Sequence, residues 1–537
     1  MAYGVRRLSL LAAFFASIIF VLWAVPKALK PVVPDEDESE RDKKWIDSSP
    51  NFFDRQTCRW LGLCGITHIK WDAPALLGDG ESMMEELSKL ALGWSEAAVI
   101  PKTGESSWEV ADLKKRNKRD AKTSGKILQE IPDYVLLNAP LVHLYSGENF
   151  WPSDMAEHVK HLFPVEGDLL MNSTKRYDLN NLGQLNAKNG TIFLTSEDDV
   201  ESRPDWLHSR VGVPAPFEDD DEDIPEDGER GSDDSRRRYP DGSTWWDVDK
   251  ENPPHRIAKP KILERNSPIQ ARKRSFEASS QQPMVWKPTS DSNKPDPSGY
   301  SKAPAVLVLV DKGSGILDAF WFFFYSYNLG QTVLKIRFGN HVGDWEHCMI
   351  RFQDGIPRAM FLSEHAGGKA YTWHAMEKRE QKDGKPPRPV IYSAVGSHAM
   401  YADPGLHPYV LPMKILKDVT DKGPLWDPAL NQYAFWYDYE VDHEEETTVP
   451  RGGERISLQP AASNPDAPTS WFHFEGAWGD DVYPLSDNRQ WRLFGEYHYT
   501  TGPLGPKWKF LERRKVCQTE KCTIVDSIEA GKKSAWY

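Results

Sequence analysis

Four side chains able to bind a metal ion or move a proton, His341, Asp344, Glu346 and His347, fall within seven residues of the stretch Phe338–Phe352, flanked by apolar, strand-like sequence. Carboxylates mixed with imidazoles suit zinc, manganese or iron, and also magnesium or calcium where waters and carbonyls complete the shell. In a strand, alternation puts Asp344 and Glu346 on one face and Trp345 and His347 on the other. His341 has the wrong parity for the carboxylate face. Gly343 is the residue that permits a bulge or a bend to bring it round.

Two later segments deliver histidine in similar surroundings. Phe361–Gly368 ends a strand in a glycine turn, with Ser363 and His365 on one face, and Ile391–Ala399 ends another, with Ser397 beside His398. The first reading is a divalent-metal site made of Asp344, Glu346, His341, His365 and His398, with the identity of the metal left open. The second is a structural network in which these groups satisfy one another inside an aromatic core. The third is nucleophilic catalysis by Ser363 or Ser397 with a histidine and Asp344. Gly396-Ser397-His398 lacks the Gly-x-Ser-x-Gly elbow, and a serine next to its own histidine points away from it in a strand. Trp478–Asp481 and Asp487–Gln490 are further sources of polar groups.

The elements that must position these groups read as mainly β. The chain has 537 residues, with 21 Trp, 22 Phe and 19 Tyr, enough for a large aromatic core. Val306–Val310 reads as a buried strand followed by the turn Asp311–Gly315. Ala319–Tyr327 is so aromatic that it must be buried on both faces or line a groove. Tyr134–Leu137, Ala139–Tyr145 and Thr191–Leu194 also read as strands. Short β-like runs then recur to Phe510, which suggests an antiparallel β-sandwich. Ahead of this body, Met83, Leu87, Leu90, Ala91 and Trp94 recur at helical spacing. The basic run Lys114–Lys122 reads as a solvated face.

At the N-terminus an apolar run of eighteen residues, Leu8–Val25, lies between Arg6-Arg7 and Lys27. That length just spans a bilayer, and no clean cleavage site follows. It reads as a transmembrane signal anchor in preference to a cleaved signal peptide or a buried helix, with the bulk of the chain lumenal. Asn172 and Asn189 head glycosylation triplets. Cys58 lies near Cys64 and Cys517 near Cys522, while Cys348 stands alone in the central strand. Two local disulfides plus one buried thiol suit an oxidising lumen, but five free thiols or bridges between the chain ends remain open readings.

The domain reading follows: signal anchor 1–30, stem and helical region 31–130, first part of the β-rich domain 131–216, main β-sandwich 301–525 and C-terminal tail 526–537. Residues 217–300, acidic from Glu218 and basic at Arg236–Arg238, read as a disordered insertion. Formal net charge is −14, from 80 acidic and 66 basic residues, which argues against a general nucleic-acid binder.

Val310–Gly313, Asp318–Phe322, Phe338–Phe352, Gly396–Tyr401 and Lys422–Pro428 resemble motifs of the fungal vacuolar protein sorting-associated protein 62 family. Trp478–Asp480, Arg489-Gln490 and Gly502–Pro506 add to that resemblance, which covers about 131–210 and 301–522. It implies a role in protein delivery to the vacuole and a secretory or vacuolar location, without a settled biochemical activity. A second, local resemblance is to the Gly-His-x-His-Asp-Trp-Glu motif of necrosis-inducing proteins, matched by His341, Asp344, Trp345 and Glu346, with Gly343 in place of the second histidine. It implies a divalent cation on a β-sandwich, with His365 as a further candidate ligand, and a lipid or glycan head group as the bound partner. As an enzyme, such a site would hydrolyse an ester or phosphodiester with metal-bound water.

Overall fold

The computed structural model describes Phe20 and residues 36–70, 108–111, 128–209 and 292–533, apart from short interruptions. The N-terminal apolar run other than Phe20, the helix expected over Glu81–Trp94, the basic run Lys114–Lys122, the insertion as far as residue 291, Asn172 and Asn189 lie outside the described residues. No described helix is long and apolar enough to cross a membrane.

Chain order defines the elements that matter here. Helices α1 (Glu36–Asp47), α2 (Phe52–Leu61) and α3 (Asp133–Leu137) precede strand β1 (Leu141–His143). Then come β2 (Ala305–Gly313), β3 (Ile316–Asn328), β4 (His341–Gln353), β5 (Ile356–Glu364) and β6 (Gly367–Thr372). They are followed by β7 (Arg388–Ser393), β8 (Leu416–Thr420), β9 (Gln432–Tyr437), β10 (Leu458–Pro460) and β11 (Ile524–Val525). The centre is an eight-stranded sheet in the order β10-β9-β2-β3-β4-β5-β6-β11. All thirteen residues of β3 are buried, as its aromatic run requires.

Burial on both faces follows from a three-layer arrangement. One face of the central sheet, carrying Phe322, Phe324, Trp345 and Met349, packs against Trp471, Phe472, Trp478 and the strands around Leu162–Ser196. The other face, carrying Trp321, Phe323, Cys348 and Ile350, packs against Val142 of β1, Ile391 of β7, Met400 and Trp426. Layering against a second sheet matches the sandwich reading, but purely antiparallel pairing does not hold. β9 joins β2, β6 joins β11 and β1 joins β7 as parallel pairs. These partners come from distant parts of the chain, so nothing obliges them to run opposite, whereas hairpin-linked strands must.

Other expectations are corrected locally. Tyr134–Leu137 is helical, not a strand: Pro132 pre-sets the entry dihedral, and Asn138 Nδ2 donates back to the Tyr134 carbonyl (2.7 Å). The stretch read as a stem contains α1, which buries Trp45 and Ile46, and Trp45 Nε1 donates to the Tyr483 carbonyl (2.8 Å). Residues 292–300, placed at the end of the insertion, pack on the body, with Ser292 buried and the Lys294 ammonium 5.3 Å over the Trp151 ring. The cysteine alternatives resolve as Cys58–Cys64 and Cys517–Cys522 bridges, with Cys348 a buried thiol.

Candidate functional site: a carboxylate and imidazole cavity beside β4

A cavity of about 290 Å³ opens at the start of β4, lined by His341, Asp344, Glu346, His365, Ser397 and Lys509 among others. Gly343 is what makes this possible. The pairing of β4 with β3 keeps its register across Gly343, Val342 opposite Tyr327 and Asp344 opposite Tyr325, so there is no bulge. Instead Gly343 takes φ +70°, and the local bend lets His341 share the cavity with the two acids. A Cβ at residue 343 would stand 2.3 Å from the Trp478 carbonyl oxygen. Gly343→Ala is therefore expected to cost roughly 2–4 kcal/mol, measurable by chemical denaturation, from left-handed strain plus backbone collision.

Each of the three groups is held by one atom and leaves another unengaged. His341 Nδ1–H donates to the Gly343 carbonyl (2.7 Å), which leaves the Nε2 lone pair available. Burial lowers its proton affinity against the pull of Asp344, so the ring is neutral near pH 7. Asp344 meets His398 Nδ1 through Oδ2 (2.9 Å), and His398 Nε2–H donates to the Phe150 carbonyl (3.1 Å). A carbonyl can only accept, so Nε2 carries a proton. The Tyr325 ring lies flat on this imidazole at 3.6 Å. Glu346 accepts from the Ser363 hydroxyl through Oε2. Asp344 Oδ1 and Glu346 Oε1 accept no hydrogen bond from another described residue.

Electrostatics sets the remaining roles. Burial, then the adjacent Asp344 charge, push the Glu346 carboxyl up to about 8 against the pull of Lys509, Ser363 and His365. Two acids this close in a dry setting cannot both ionise without a compensating cation or proton. His365 is engaged elsewhere: its Nε2–H donates to Asp418 Oδ2 (2.6 Å). Burial works against its proton, yet the charge and hydrogen bond of Asp418, with Glu346 and Glu364, lift His365 to about 9. It is an imidazolium at neutral pH, a donor and not a ligand.

Sequence reasoning missed Asp418 on β8, which also accepts from Ser397 Oγ (2.7 Å), Tyr401 OH (2.8 Å) and Gln331 Nε2 (3.0 Å). Its one sequence signal is a carboxylate, next to Lys417, between the apolar residues Ile415-Leu416 and Val419. Nucleophilic catalysis is not supported, because Ser397 donates to Asp418 and Ser363 to Glu346, neither to a histidine. His347 points away, stacked on Phe322 at 5.2 Å, and burial keeps it neutral. Trp478 packs edge-on against Trp345 at 5.3 Å. Among the described residues no three His, Cys, Asp or Glu side chains stand close enough to hold an ion as they are.

The arrangement is therefore three anchored donors around a polar cavity. Residues 310–413, from within β2 to beyond β7, match the family model for vacuolar protein sorting-associated protein 62. Over 419 residues the chain is 33% identical to a Saccharomyces cerevisiae protein named as a candidate vacuolar protein sorting-associated protein, TDA6, covering 72% of this chain and 68% of that one. The chain belongs to the vacuolar protein sorting-associated protein 62 family. The vacuolar protein sorting-associated protein 62 of S. cerevisiae is 32% identical over 415 residues, 73% of this chain and 68% of that one. No solved structure matches the chain. The family match takes in β2 to β7, and within it fall His341, Asp344, Glu346, His365 and His398.

Proposed function

We propose that this family member acts in protein delivery to the vacuole and that its β4 cavity binds a divalent cation that presents one face to a polar ligand. One observation carries the cation: His341, Asp344 and Glu346 are each fixed through one atom by Gly343, His398 and Ser363, while Nε2, Oδ1 and Oε1 are left unengaged. Metal ligands are oriented this way by an outer shell of hydrogen bonds. Binding requires a small side-chain adjustment that draws the three together. His398 and His365 then serve as outer-shell groups instead of ligands. A lipid or glycan head group fits the polar lining supplied by Asn328, Gln331, Thr500 and Lys509. Both spare histidines are already committed to buried carboxylates, which favours binding over hydrolysis.

Manganese titration of the purified protein, followed by calorimetry, tests this. Ser363→Ala and His398→Ala are expected to weaken binding by roughly 10–100-fold, and Asp344→Asn to abolish it. Glu346→Gln gives an opposite pair of effects. A carboxyl raised to about 8 in the folded state holds a proton that the unfolded chain, near 4.5, releases. Its contribution is complete below the unfolded value and is lost as pH rises through about 8. The neutral amide avoids that loss, so the metal-free variant should gain on the order of 2 kcal/mol near pH 7 while losing the metal. Wild-type protein that takes up no manganese at neutral pH contradicts the proposal.

A further inference from the structure

Helix α2 turns Asp54 and Cys58 inward and an aromatic face outward. Phe52 is 58% exposed, Phe53 77% and Trp60 79%, and beyond the helix Ile66 is 44% exposed. Phe53 and Trp60 are seven residues apart, two helical turns, so they lie on one side. Gln56 sits between them and its side-chain carbonyl accepts from Trp60 Nε1 (3.1 Å).

This is no loosely attached arm. The Cys58–Cys64 bridge closes its C-terminal turn, Gly65 N–H donates to Asp54 (2.7 Å), and Leu63-Cys64 pairs with Arg492-Leu493. Arg492 is sandwiched between the Trp45 and Tyr497 rings, 4.6 and 5.2 Å from their centroids, and also pairs with Asp42 of α1. Asn51 caps the N-terminus through its side chain. A stapled, capped and docked helix that holds two phenylalanines and a tryptophan in water gains nothing from their exposure in the isolated fold.

The chain outside the structure says what covers this face. The uncharged run Leu8–Val25 ends ten residues before α1 begins. Ten residues span at most about 35 Å, so a membrane holding that run keeps α1 and α2 tethered close to its surface. Phe and Trp with flanking arginines, here Arg55 and Arg59, are the side chains that settle at a bilayer interface. We propose that α2 and Ile66 form a second membrane contact, lying in the lipid interface with Phe52, Phe53 and Trp60 inserted. This contact is separate from the β4 cavity and does not depend on it.

The full chain reconstituted in phosphatidylcholine vesicles, with Gln56→Cys carrying an environment-sensitive fluorophore, tests this, since Cys348 is buried and the other cysteines are bridged. Lipids brominated on the acyl chain are expected to quench the probe about twofold or more. Adding Phe53→Ser and Trp60→Ser should abolish quenching while the thermal transition persists. Phe53→Ser alone, at a position 77% exposed, serves as the control that cannot unfold the protein by emptying its core. A probe that stays water-exposed on vesicles overturns the proposal. So does quenching that survives both substitutions, and so does shielding that appears without lipid and grows with protein concentration, the mark of a second copy.

Discussion

Asp318→Ala is expected to cost the fold about 3–5 kcal/mol, read as a shift in the denaturation midpoint, because it strands buried cations. Arg351 reaches Asp318 through two parallel bonds, Nε to Oδ1 and Nη2 to Oδ2, both 2.7 Å, with both side chains fully buried. Arg351 Nη1 also donates to the carbonyls of Arg514 (2.8 Å) and Glu109 (3.1 Å), tying outlying segments to β4. Two further buried cations lean on the same carboxylate. Burial pulls Lys312 down to about 7 despite Asp318, and Arg513 lies 4.5 Å over the Phe361 ring. Replacing Asp318 and Arg351 together by apolar residues of similar volume should cost less than Asp318→Ala alone, since no charge is then left without its partner.

Asp418→Ala is expected to be nearly as damaging, about 3–4 kcal/mol, and to change the pH profile as well. Four donors lose their acceptor, one of them the His365 imidazolium. His365 keeps 27% of its side chain exposed, so water recovers part of the loss. The sign follows from the two partners. A histidine raised to about 9 stabilises the fold fully below its unfolded value near 6.5, and that contribution fades as pH climbs through about 9. For Asp418, burial would raise the carboxyl, but His365, Ser397 and Tyr401 reverse this and hold it below the usual range, so its contribution is lost at the acid end. The pair is strongest between those limits. Stability measured from pH 6 to 10 should fall in wild type and run flatter in Asp418→Asn over the same interval.

How far the sequence could foresee this depends on where each partner lies. His341, Asp344 and Glu346 were legible because all three sit within six residues on one strand, and Gly343 advertised the bend. His365 and His398 are legible as neighbours of the cavity, but their carboxylate partners are not. What commits them is the Phe150 carbonyl and Asp418, more than fifty residues away from one or the other, and no local pattern encodes that meeting. The aromatic run of β3 announced burial on both faces, since no solvated strand tolerates that composition. Tyr134–Leu137 failed for a different reason: a short apolar run carries no usable period, and Pro132 with Asn138 decided for a helical turn. The parallel pairs β9–β2 and β1–β7 depend on long excursions of the chain, which strand-by-strand reading cannot order. The family motifs Val310–Gly313 and Asp318–Phe322 also gain a physical meaning, for they supply Lys312 and Asp318 to the buried charge cluster beneath the sheet.

The central claim is that the anchored trio is a cation site. Anomalous diffraction from crystals grown with manganese tests it most directly. One peak is expected in the cavity, bonded to His341 Nε2, Asp344 Oδ1 and Glu346 Oε1, and absent from Asp344→Asn crystals. A cavity that stays empty at saturating manganese, or a peak held by other side chains, contradicts it.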